Sequence, residues 1–288
     1  MKKTAGIIAL LLVAVIFGTA FSFQSIAAQL LGPFYLNAAR LTLGGAVLIP
    51  FLFRKDRFRK KDLLTASFLD GMILFLAPNI QQVAIKDTPV GKTGFITALY
   101  IVLVPLLSFF LFRKRPGRRA CISLLIALAG LYLLCGLTPD DLAFRTHDLY
   151  LIATAVLFAL QILVIERYAE RVDPFKFCCL AFLFSGILSL ICALLFETFD
   201  AAMMQKALPS IFYLGIVSTG IGYTLQPIGQ RYVPSMEASL LMSLESVFSV
   251  LAGYLILHQS LSSRELLGCI LMFAAVILCQ IPDNKKIG

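Results

Sequence analysis

Residues 5–28 read AGIIALLLVAVIFGTAFSFQSIAA, an apolar run of 24 residues without one charged side chain. As a helix it reaches about 36 Å, enough to cross a hydrocarbon layer of about 30 Å. Nine further stretches of this kind follow, at 33–53, 63–86, 90–112, 118–136, 147–166, 174–196, 208–230, 236–257 and 264–281. Apolar residues make up 59% of the chain and charged ones 14%, against about 25% charged in a soluble domain. Lipid must therefore be the main solvent. In lipid each segment has to satisfy its own backbone hydrogen bonds, so the spans are helices. The expectation is an all-α integral membrane protein of ten transmembrane helices, with the lipid bilayer as its partner.

Lys2-Lys3 ahead of the first run, and Ser25-Ile26-Ala27-Ala28 at its end, also fit a secretory leader. Two features favour a permanent span. The run exceeds a leader's usual apolar core of about 7–15 residues, and it recurs. Ala14-Val15-Ile16-Phe17 matches Ala155-Val156-Leu157-Phe158, and Pro33-Phe34 matches Pro174-Phe175, both 141 positions on. Gln81, Pro89, Leu99, Leu106, Ala129 and Leu133 match Gln226, Pro234, Leu244, Leu251, Ala274 and Leu278, 145 positions on. The four extra residues fall near Pro139-Asp140-Asp141. The chain thus reads as two units, 1–137 and 146–282, of five spans each. An odd number of spans sends the second unit into the membrane from the opposite side. That is an inverted repeat, an arrangement typical of secondary transporters.

The net charge of +9 is explained by the same topology. Of the 25 Lys and Arg, 19 lie in segments on the side of the N-terminus, five lie on the other side, and Arg40 is inside a span. The positive-inside rule then places both termini in the cytoplasm of a multi-pass cell-membrane protein, and no nucleic-acid partner is needed. The seven cysteines lie in apolar runs with no CxxC pair, as small packing residues do. No metal or other cofactor is expected.

Three stretches carry a resemblance: Pro33 through Arg40 with Gly44-Gly45; Pro89-Val90-Gly91-Lys92-Thr93-Gly94-Phe95-Ile96-Thr97; and Leu244-Glu245-Ser246-Val247-Phe248. Together they resemble the drug/metabolite transporter (DMT) superfamily, EamA-type. The resemblance implies two five-helix repeats with both termini inside, and export of amino acids, drugs or metabolites. Ser246 replaces a proline of the family pattern, and His258-Gln259 stands where the family usually has Gly-Glu.

Ionisable groups within a span cost about 2.5–3.5 kcal/mol at the bilayer centre, so they face the protein interior and mark pathways. Arg40, Asp70 and Glu245 are three such groups. Counting helical rise, Arg40 lies about 18 Å and Glu245 about 15 Å above the inner edge, with Asp70 at about 12 Å. Arg40 and Glu245 are thus expected as electrostatic partners lining a central cavity, or as a fixed ion pair between spans 2 and 9. Glu245, and after it Asp70, are the groups placed to take up a proton in a transport cycle. Thr93, Thr97 and Tyr100 form one helical stripe, and Tyr100 is the repeat counterpart of Glu245. Asn37, Asn79, Gln82, Tyr223 and Ser249 complete the expected cavity lining. Gln81 and Gln226 read instead as interhelical ties near opposite membrane edges.

The function these residues point to is secondary transport of a small-molecule substrate: a metabolite, an amino acid or a drug-like solute. A passive channel is the main alternative. A nucleotide-driven pump is excluded by Gly91-Lys92-Thr93, because Lys86 stands where a phosphate loop needs glycine. A membrane-embedded enzyme finds little support: there are two histidines, His147 and His258, and no HExxH.

Overall fold

The computed structural model describes residues 1–55, 58–85, 90–113, 117–136, 145–257 and 262–281. Pro89, the linker at Pro139-Asp140-Asp141 and the helix end at His258-Gln259 lie outside the described residues.

Every regular element among them is helical. Span 1 is α1 (Lys2–Ala28), span 2 is α2 (Pro33–Leu52) and span 3 is α3 (Lys60–Ile85). Span 4 is made of α4 (Val90–Ala98) and α5 (Tyr100–Phe112), and span 5 is α6 (Arg118–Leu134). Spans 6 and 7 are α7 (Thr146–Tyr168) and α8 (Pro174–Phe196). Span 8 combines α9 (Ala201–Phe212), a π-helical segment (Tyr213–Tyr223) and α10 (Thr224–Gln230). Span 9 combines α11 (Ser235–Met242) and α12 (Glu245–Leu257), and span 10 is α13 (Ser263–Gln280). Among the described residues nine of these spans are at least 18 residues long and apolar enough to cross a membrane. The tenth, α6, has 17 residues.

The distribution of side chains is that of a protein solvated by lipid. Phe110, Leu125, Leu195, Phe196 and Leu255 are mostly exposed, whereas Asn37, Arg40, Asp70, Gln81, Thr154 and Gln226 are buried. Only hydrocarbon makes that pattern stable, because the polar groups then find partners inside.

Packing follows the repeat. The most extensive contacts are α2 on α8 and α6 on α13, each joining a span to its own counterpart. Span 6 packs on spans 3 and 4, and span 1, its counterpart, packs on spans 8 and 9. The result is two three-span bundles, 1/8/9 and 3/4/6, flanked by the 2/7 and 5/10 pairs. Close approach needs small residues. A Cβ on Gly268 would lie 2.7 Å from the Gly130 carbonyl oxygen and 2.6 Å from the Leu134 nitrogen, which is why α6 and α13 can touch backbone to backbone.

Candidate functional site

Spans 4 and 9 break at equivalent points. The amide of Leu99 bonds Ile96 O at 3.2 Å, and that of Leu244, 145 positions on, bonds Leu241 O at 3.3 Å. Each is a tightened i→i−3 turn in mid-span, a local geometry that often marks a functional site. The next residue in each case is Tyr100 or Glu245, and the two meet: the Tyr100 hydroxyl donates to Glu245 Oε1 at 3.1 Å.

That hydrogen bond crosses a central cavity, about 80 Å³ of which is open to the centres of water molecules, room for several waters. Its wall is nearly two-fold. Phe17 and Phe158, Ala20 and Gln161, and Phe21 and Ile162 are pairs 141 apart. Pro78 and Tyr223, Gln81 and Gln226, Thr97 and Met242, and Tyr100 and Glu245 are pairs 145 apart. Gln24, Arg40 and Ser218 line it without a lining counterpart. One wall belongs to bundle 1/8/9 and the other to bundle 3/4/6, with Arg40 entering from α2.

Arg40, Thr97, Tyr100, Tyr223 and Glu245 therefore share one cavity. The Arg40–Glu245 ion pair is not made: among the described residues no acidic oxygen lies within 4 Å of the Arg40 guanidinium. Instead Arg40 and Glu245, and Asp70 with them, lie near enough to Tyr223 to act on its hydroxyl electrostatically. Asp70 stands behind the wall, beside Gln161.

Five residues expected at the wall are elsewhere, for identifiable reasons. Asn37 and Asn79 satisfy each other: Asn37 Nδ2 donates to Asn79 Oδ1 at 2.7 Å, and Asn79 Nδ2 donates to Phe75 O at 2.7 Å and Ser189 Oγ at 3.3 Å. They clamp α2, α3 and α8. Gln82 accepts from Gln24 Nε2 at 3.1 Å, so the cavity meets Gln24 rather than Gln82. Thr93 is buried on α4 one turn before Thr97, off the wall, and Ser249 backs onto Gly18 of α1. Gln81 and Gln226, read as interhelical ties, are also on the wall; Gln81 does tie α3 to α4, whereas Gln226 bonds within its own helix. Gln81 Nε2 donates to Thr97 Oγ1 at 3.1 Å, and Gln226 Nε2 to Gln230 Oε1 at 3.1 Å. Sequence reasoning misses Gln161, for which the signal is an amide deep in an apolar span, 141 positions from Ala20. Among the described residues no three His, Cys, Asp or Glu side chains gather as a metal site would require.

A second polar feature lies away from the cavity. Lys92 Nζ, counted in the sequence as a loop charge, is buried at 2.7 Å from Asp148 Oδ2, with side chains 5% and 3% exposed. This ties α4 to α7.

An all-helical, lipid-solvated chain with a two-fold cavity between two bundles is the architecture of a multi-pass transport protein. The comparisons make the class specific. The EamA-like transporter family matches residues 4–136 and again 145–280, so the chain belongs to that family, within the DMT superfamily. An uncharacterized transporter of Archaeoglobus fulgidus is 28% identical over 98% of this chain and 87% of its own length. The uncharacterized transporter YwfM of Bacillus subtilis is 23% identical over 99% and 97%. A solved crystal structure superposes with a TM-score of 0.80 at 22% identity, over 94% of this chain and 95% of that one, which is a likeness of fold.

Proposed function

We propose that the protein is a secondary transporter that exports a small metabolite, amino acid or drug-like solute from the cell by alternating access. In this reading the units 1–137 and 146–282 are oppositely inserted in the cell membrane, with both termini in the cytoplasm. The observation that carries it is the cavity between bundles 1/8/9 and 3/4/6, bridged by the Tyr100–Glu245 hydrogen bond. Rocking one bundle on the other re-exposes the cavity without rebuilding it, because each wall is part of one packed unit. Glu245 is the group that takes up the coupling proton: when Glu245 is neutral, the Tyr100 hydroxyl loses a charged acceptor and the bridge weakens.

Reconstitution into liposomes with a solute panel tests this. The expected result is saturable flux, accelerated by solute on the far side and driven by a pH gradient in the wild type but not in Glu245→Gln. Non-saturating conductance would identify a channel instead. Proton-driven flux in Glu245→Gln would remove Glu245 from the coupling role.

A further inference from the structure

The buried charges of this molecule are not treated alike. Glu245 accepts from Tyr100 and Lys92 is paired with Asp148, while Asp70, behind the wall, has Gln161 near it but an unpartnered Oδ1. Arg40 differs. It is only 5% exposed, its Nε is sealed from solvent without a hydrogen-bond partner, and no described residue accepts a hydrogen bond from it or pairs with it. Its side chain nonetheless reaches the central cavity. A guanidinium buried in this way is costly unless something neutralises it.

The repeat shows that the fold does not ask for this residue. The counterpart of Arg40 is Ala181, fully buried where α8 packs against Gly71 of α3. An alanine thus satisfies the same structural position in the other unit. A charge placed where symmetry asks only for packing, with its side chain on the cavity wall, is suited to a ligand. A guanidinium presents paired N–H donors in one plane, which match the two oxygens of a carboxylate.

From this we infer that Arg40 is an anion subsite and that the solute carried is a small monocarboxylate with an apolar body. This rests on the carrier reading given above. The charge count favours one negative charge, since among the described residues Arg40 is the only basic one on the wall and Glu245 is also on it. Phe17, Phe21 and Phe158 supply the apolar collar for the body of the solute.

The test compares three probes of one shape, 3-phenylpropionate, its methyl ester and 3-phenylpropylamine, by equilibrium dialysis against the purified full chain in detergent. The acid is expected to bind at least about tenfold more tightly than the ester or the amine. Arg40→Gln should lose that preference, and Arg40→Lys, which keeps the charge but not the fork, should fall between. The acid–ester comparison on the unaltered protein needs no variant to fold, and thermal unfolding without probe checks that the variants do. Ester or amine binding as tightly as the acid overturns the assignment, as does an unchanged preference in Arg40→Gln. Flux of the same probes in liposomes separates the two readings. Arg40-dependent binding without flux supports the subsite and sinks the carrier. Saturable flux that ignores both the carboxylate and Arg40→Lys supports the carrier and sinks the subsite.

Discussion

Lys92 in the first unit and Glu237 in the second occupy the same repeat position, 145 apart, and both are ion-paired. Lys92 binds Asp148 on α7 at 2.7 Å, and Glu237 binds Lys3 on α1 at 2.7 Å. Each bond therefore ties the start of a broken span to the start of the helix it packs on, with the signs of the charges exchanged. Their surroundings differ: side chains 5% and 3% exposed in the first pair, and 52% and 22% in the second. The backbone plan is repeated while the chemistry is not. The same holds at the cavity, where Tyr100 faces Glu245, Gln161 answers Ala20, and Arg40 answers Ala181. The repeat builds the frame, and departures from it place the working groups.

The largest expected effect comes from removing the first staple. Lys92→Ala leaves Asp148 buried and unpaired, and should cost about 3–5 kcal/mol of stability. Lys3→Ala removes a half-exposed partner and should cost less than about 1 kcal/mol. Unfolding of the two variants in the same detergent makes the comparison; equal losses would mean that burial does not separate the two pairs. The double exchange Lys92→Glu with Asp148→Lys should recover only part of the loss. Asp148 Oδ2 also accepts from the Arg145 amide at 2.8 Å at the start of α7, and lysine cannot.

Next in size is the contact behind Glu245. Gly18 of α1 and Ala159 of α7 are counterparts, yet only the second unit has room for a methyl group. A Cβ on Gly18 would lie 2.5 Å from Phe248 Cβ and 2.6 Å from Glu245 O. Gly18→Ala should therefore cost about 1–3 kcal/mol by overpacking, and it should slow flux because α12 carries Glu245. Ala159→Gly should cost about 1 kcal/mol through helix propensity and leave flux near normal. A Gly18→Ala protein with wild-type stability and flux would show that α1 and α12 are not tightly docked here.

These contrasts also show what a one-dimensional reading can reach. Length and hydropathy gave the spans, and two fixed offsets gave the pairing of the units, because both are written along the chain. Burial of polar residues was legible too, since lipid forbids the alternative. What could not be read was which polar groups satisfy one another. Asn37 and Asn79 read as cavity residues and Gln81 and Gln226 as interhelical ties, although all four are alike in the sequence as amides in hydrocarbon. Only the packing of α2 against α3 closes the first pair on itself and leaves the second pair facing the cavity. Lys92 was missed in the same way. A lysine three residues into a span resembles a loop charge until α7 brings Asp148 to it.

The smallest effect concerns how α2 and α8 begin. Both open on Pro-Phe, and the residue before each proline is again a counterpart pair, Gly32 and Asp173. Asp173 caps its own helix, accepting from the amides of Phe175 and Lys176 at 3.0 and 3.1 Å. Gly32 has no side chain to do this, and Glu197 at the end of α8 does it from across the fold, accepting from the amides of Phe34 and Tyr35 at 2.9 Å each. Removing either cap, by Asp173→Ala or Glu197→Ala, should cost about 0.5–2 kcal/mol. Gly32→Asp alone should also destabilise, because its Cβ would overlap the Glu197 carboxylate and bring two acids together. In the Glu197→Ala background the same substitution should restore stability, because the new aspartate repeats what Asp173 does in the other unit. Additive losses in that double mutant would show that the two helix starts, although matched in sequence, are not interchangeable in structure.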